Sequence, residues 1–174
     1  MKIESTAFTR ADVEQFLDEM LDHDRQILAD RLEKASSRLA ELGGRVAMGS
    51  GDGEWSPHEL LAHIAVLSKF YGVLVHKISS GQMSELDLLE NVNLRDVLGE
   101  RLAQVEPAEL LRMALADQAR TLKFLRTADA SSMKRTARQE NGEPISAEEV
   151  ARLPLVNHLE MHVDQLERAL GDSD

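Results

Sequence analysis

His158 and His162 stand four residues apart, which is one turn of an α-helix, so both imidazoles can converge on a single ion. A third imidazole, His63, falls on the core side of another predicted helix. Three neutral histidines meeting from two helices form a facial ligand set for a divalent metal and leave at least one coordination position open. An open position is the pattern of catalytic metal sites. An ion there lowers the pKa of a water or a low-molecular-weight thiol and supplies a nucleophile at neutral pH. The competing reading is structural, because a core histidine needs only a hydrogen-bond partner and a lone one is more often satisfied than ligating. That reading predicts a plain bundle with polar core histidines and no stoichiometric metal.

The chain has no cysteine, so disulfides, thiolate zinc sites and cysteine nucleophiles are excluded and a metal must rest on His, Asp or Glu. Zinc is the physical default for three imidazoles with an open site, and nickel is the second candidate on affinity order. Two familiar metal motifs fail. His58 and His63 resemble the H-E-x-x-H of metalloproteases, but the spacing is one residue too long and sets the rings about 140° apart on a helix. Di-iron bundles use Glu-x-x-His pairs, whereas the residues three before the six histidines are Met20, Trp55, Leu60, Val73, Leu155 and Leu159. The site expected is mononuclear.

Four long amphipathic helices must position these groups. Val13, Phe16, Leu17, Met20, Ile27, Leu28, Leu32, Leu39 and Leu42 recur at helical spacing, so residues 11–42 read as the first, with Thr9 as N-cap, Asp12 three residues on, and Gly43 and Gly44 as its stop. Residues 45–54 are rich in Gly, Ser and Asp and read as a loop. Ser56, Pro57 and Glu59 give the second helix a capping box with proline at its first position, stapled by Trp55 and Leu60; it runs to Ser80. Residues 82–105 read as a connection with one or two short helices. Pro107 and Glu109 open a third helix to about residue 128, with Leu110, Ala114, Thr121, Phe124 and Leu125 on one face. Residues 131–144 read as a polar, basic loop. Ser146 and Glu149 cap a short turn, and the last helix is expected over residues 154–170, with Gly171 as its stop. No strand pattern is visible. The fold class expected is all-α, a single four-helix-bundle domain over residues 1–174 with short helical turns in its connections.

Helical wheels sort the histidines. Leu60, Leu67, Leu74 and Ile78 define the buried side of the second helix with His63 on its flank, while His58 and His76 fall on the polar side beside Lys69. On the last helix Leu155, Leu159, Leu166 and Ala169 mark the buried face, and His158 and His162 lie within it. Asn157, Glu160, Asp164 and Arg168 point outward, and His23 is an edge residue. Asp24 and Asp117 also project onto buried faces. They are candidates to accept the free N–H of a ligating histidine, and the alternative is a solvated position or an ion pair with Arg31 or Arg120.

The bulk numbers limit the partners. A net charge of -11 with a pI near 5.0 opposes nucleic-acid binding. The N-terminus lacks an apolar leader core and no run approaches a membrane span, so a cytoplasmic protein with no membrane partner is expected. The excess of Arg over Lys, with abundant Ala and Leu, is a weak pointer to a GC-rich bacterial source.

The run from Trp55 to Ala65 (WSPHELLAHIA), followed downstream by Gly142-Glu143-Pro144-Ile145-Ser146 and by the run from Leu155 to Leu166 (LVNHLEMHVDQL), resembles the DinB/YfiT-like superfamily. The resemblance spans the second and last helices, and the bundle is compatible across nearly the whole chain. It implies a four-helix bundle whose second helix gives one ligand and whose last helix gives an H-x-x-x-H pair: His63, His158 and His162. Relatives implied by it include bacillithiol and mycothiol transferases and maleylpyruvate isomerase, and several pair as homodimers. The first functional expectation is therefore a metal-dependent thiol S-transferase, or a related hydrolase or isomerase, acting on a small electrophilic substrate with a low-molecular-weight thiol as partner. The second is a non-catalytic stress-related protein that holds metal or a small ligand.

Overall fold

The computed structural model describes residues 9–51, 55–87 and 101–171. Helix α1 spans Arg10–Gly43, α2 Pro57–Ser79 and α3 Pro107–Thr127. After a short α4 (Ala130–Met133), α5 (Ala147–Val150) continues through a π-helical turn (Ala151–Asn157) into α6 (His158–Gly171). The starts follow the expected chemistry. Thr9, Ser56 and Ser146 each accept a hydrogen bond from the backbone N–H three residues on, and the carboxylates of Asp12, Glu59 and Glu149 accept in turn from the cap's own N–H.

Helix directions follow from cross-helix contacts. Arg31 of α1 meets Glu160, and Arg38 meets Asp164 and Glu167, so α1 and α6 run parallel. Ser68, Gly72 and His76 of α2 meet Gln118, Thr121 and Phe124 of α3 in the same order, so these two are parallel as well. Against these, α1 and α3 are antiparallel, with Arg25 on the Leu125 carbonyl and Gly43 against Leu111. Trp55 beside His162 and Tyr71 beside His158 make α2 and α6 antiparallel. The bundle is up-down-down-up, and the chain between α2 and α3 must return along its length. Within this antiparallel pair α6 starts level with the first half of α2, so that His158 and His162 stand beside His63.

The core is the shared apolar face of the four helices. Leu28, Leu32 and Leu39 of α1, Leu60, Ile64 and Leu67 of α2, Leu110 and Leu125 of α3, and Leu159, Val163 and Leu166 of α6 are fully buried. Each such side chain contributes about 2 kcal/mol of apolar transfer on folding. Helix α2 is long and apolar enough to cross a membrane by length and composition, and 61% of its apolar window is buried inside the bundle.

Several expectations need correction. A three-stranded sheet in the order β1-β2-β3 replaces part of the expected loops: β1 (Glu85–Leu86) pairs parallel to β2 (Thr136–Gln139), which pairs antiparallel to β3 (Pro144–Ser146). The hairpin turns at Gly142, whose φ of 85° suits glycine. Strands of two to four residues are too short to show alternation in sequence. Pro154 does not start the last helix; it lies inside the π turn. On α1, Val13, Phe16, Leu17 and Met20 are exposed, all ahead of its first buried residue, Arg25, and Ile27 is exposed as well. Of the expected connection over residues 82–105, residues 88–100 lie outside the described part.

His58 is the largest reversal. It is 1% exposed, with Nδ1 3.2 Å from the Gly49 carbonyl and Nε2 2.8 Å from that of Val105. The wheel assigned it to solvent because helix periodicity cannot see two connecting segments closing over the start of α2.

Candidate metal centre

Each of the three ligand candidates is set by a local device. The Ser56 capping box fixes the phase of α2 and places His63 in its second turn. His158 opens α6 directly after the π turn, and His162 comes one turn later. Pro154 lacks an N–H, and in an α-helix its ring would strike the carbonyl four residues earlier; the wider turn accommodates both. Arg31 of α1 then clamps the beginning of α6, donating to Asn157 Oδ1 at 2.6 Å and to both Glu160 oxygens at 3.0 and 2.5 Å.

These elements bring the three imidazoles together. One ring nitrogen from each of His63, His158 and His162 lies within 4.8 Å of the others, with ring centroids 4.5 to 5.4 Å apart. Tetrahedral imidazole ligands around one ion stand about 3.4 Å apart at a metal–nitrogen distance of about 2.1 Å, so modest ring rotations suffice. The donor set is all nitrogen, which suits zinc, nickel or copper and not the oxygen-seeking calcium or magnesium. The Nε2 atoms of His63 and His162 are shielded from solvent. His162 is buried, whereas His63 and His158 are half-buried, so the cluster opens on one side.

Trp55 covers part of that opening. Its indole lies 4.7 Å from the His63 ring and 5.9 Å, nearly parallel, from that of His162, while the residue stays 49% exposed. The Tyr71 ring lies 6.3 Å from that of His158. The aromatic position expected as a staple is thus also a wall of the site.

Gln165 is the residue that sequence reasoning passed over. Its Oε1 lies 3.0 Å from His162 Nδ1, and an amide oxygen can only accept, so Nδ1 carries the proton and Nε2 keeps its lone pair. The signal was present: Gln165 is three residues after His162 on the same helix. Asp24 and Asp117 are engaged elsewhere. Asp24 is half-exposed and paired with Arg152 at 3.1 Å, and Asp117 pairs with Arg120, the alternative partner named from sequence.

The family model of the DinB superfamily matches residues 5–166. The chain belongs to the DinB superfamily. Its fold is similar to that of YfiT from Bacillus subtilis, a probable metal-dependent hydrolase with an unusual four-helix bundle topology, at 14% identity and a TM-score of 0.65 over 98% of this chain and 94% of that one. It is also similar to the mycothiol-dependent maleylpyruvate isomerase, at 16% identity and a TM-score of 0.59 over 87% of this chain. This chain spans 62% of the isomerase's length. No curated protein matches the sequence.

Proposed function

We propose that this DinB superfamily member is a divalent-metal-dependent enzyme of the thiol S-transferase, hydrolase or isomerase type, acting on a small electrophile, with His63, His158 and His162 as its metal ligands. The observation that carries the reading is three imidazole nitrogens within 4.8 Å of one another on the open side of a bundle core. The YfiT and maleylpyruvate isomerase likenesses support the class and leave the substrate open.

When bound, the ion supplies Lewis acidity that makes a water or thiol nucleophilic near neutral pH. The remaining work belongs to the chain. Gln165 sets the tautomer of His162. Trp55 gives the mouth an apolar wall that excludes water from one side and offers a flat surface to a hydrophobic electrophile. Half-buried His63 and His158 leave the approach for a small substrate on the other side. Zinc is the metal we assign, with nickel second.

Elemental analysis of untagged protein tests the site, and turnover of monochlorobimane with a panel of low-molecular-weight thiols tests the chemistry. We expect about one metal per chain, lost in His158→Ala, and thiol-dependent turnover that disappears with it. Stoichiometric metal without turnover on any thiol or hydrolysable ester would favour a non-catalytic metal-binding role. Protein without metal, unaffected in melting temperature by added zinc or nickel, would sink the proposal.

A further inference from the structure

The seam between the parallel helices α2 and α3 opens, along their C-terminal halves, into a cavity of about 460 Å³, within the size range of small-molecule sites. Its lining includes Gly72 and Thr121. A Cβ at Gly72 would stand 2.5 Å from Thr121 Oγ1, so the missing side chain is what lets the two helices close there. Val73 and Phe124 add apolar surface, and the Phe124 ring is held edge-on by His76 at 5.6 Å.

Beside neutral Ser68, Gln82 and Thr127 the lining gathers cations, in a chain with 31 acids against 20 bases. Lys69, Lys77 and Lys123 line this one cavity, three of the six lysines in the sequence. The single acid on the lining, Asp117, is taken up by Arg120. Among the described residues none of the three lysines forms a salt bridge. Helix dipoles favour cations in a last turn, which accounts for His76 and Lys77. Lys69, ten residues before the end of α2 at Ser79, lies beyond that reach. Lys69 and Lys77 are eight residues apart, about 12 Å along the helix, with Val73 midway. Three exposed ammonium groups on the rim of an apolar pocket complement a ligand that brings negative charge and an apolar body.

We propose that this cavity is a second binding site, for a small organic anion whose acidic group is held by Lys69, Lys77 and Lys123 and whose apolar body packs on Val73 and Phe124. It lies on the α2–α3 seam, whereas the histidines lie between α2 and α6, so it does not depend on the metal assignment.

Titration with 1-anilinonaphthalene-8-sulfonate, an aromatic sulfonate whose fluorescence rises on binding, tests it with and without added zinc. We expect one saturable site, weakened by salt. Lys69→Gln with Lys123→Gln should weaken it at least tenfold, and the corresponding Lys→Arg pair should restore it. Lys34→Gln, which removes the same charge from an exposed position on α1, should change it less than twofold. Benzoate or phenyl phosphate should displace the probe and phenol should not. An unchanged dissociation constant in the double Gln variant, an equal loss in Lys34→Gln, or displacement by phenol would overturn the assignment.

Discussion

Gln165 Oε1 accepts the Nδ1–H of His162 at 3.0 Å, and that one contact decides which nitrogen of the most buried member of the three-histidine cluster faces the other two. Gln165→Leu keeps the bulk but removes the acceptor, so the ring is free to turn and to change tautomer. Metal affinity should fall by about 10- to 100-fold, as it does when such supporting hydrogen bonds are lost elsewhere. Gln165→Glu keeps an acceptor and should hold affinity within a few fold of the wild type. Competition with a chromophoric chelator measures both. Equal affinities for Gln165→Leu and the wild type would show that packing alone orients His162.

Trp55 is the only tryptophan in the chain, and its ring lies 4.7 Å from that of His63. Emission from the protein is therefore emission from the site. Nickel or copper added to metal-free protein should quench it by more than about half, with the break at one equivalent. The same titration of His158→Ala or His162→Ala should give only shallow, unsaturated quenching. Quenching of equal depth in those variants would place the ion somewhere other than the three-histidine cluster.

The fold and the cluster were legible to different depths. Capping boxes at Thr9, Ser56 and Ser146 are local and could be read directly, as could the i, i+4 spacing of His158 and His162. His63 required only that one more helix turn its apolar face inward. What stayed hidden depends on chain segments far apart in sequence. His58 is buried because carbonyls of Gly49 and Val105 close over it, and β1 exists because residues 85 and 86 meet a hairpin some fifty residues later. Val13, Phe16 and Leu17 carry a helical stripe that stays exposed among the described residues, which periodicity cannot distinguish from core. Asp24 and Asp117 pair with Arg152 and Arg120, and the acceptor beside His162 is a neutral amide, to which a sequence draws less attention than to a carboxylate.

Pro154 lies inside the π turn that immediately precedes His158. With Ala at this position the missing N–H returns and the ring clash disappears, so the turn can rewind as an α-helix. Loss of the extra residue in the turn would rotate α6 by about 100° relative to α5 and carry His158 and His162 away from His63. Pro154→Ala should therefore bind metal at least about tenfold more weakly, and its melting temperature should fall as well, because the same rotation carries Leu159, Val163 and Leu166 off the core. Unchanged affinity would mean that the Arg31 clamp and the buried face of α6 hold the ligands regardless of the turn.

Glu59 sets the start of the helix that carries His63, and its charge makes that start sensitive to acid. Its Oε2 accepts from the Ser56 N–H at 2.8 Å and from the Gly51 N–H at 3.0 Å. Above all the Ser56 backbone bond, then the Ser56 side chain and the Gly51 N–H, hold its carboxyl below the ordinary value of 4.5. A depressed pKa in the folded state means that the stabilisation is present above about pH 4.5 and is lost as pH falls through the folded-state value. Glu59→Gln retains the size and an acceptor but not the charge. At neutral pH it should cost about 1 kcal/mol, or about 2 to 4 °C in melting temperature for a chain of this size. On acidification the wild type should lose this advantage until the two melting curves converge below the folded-state pKa of Glu59. A gap that stayed constant from pH 7 to pH 3 would show that the cap acts through shape and not through its carboxylate charge.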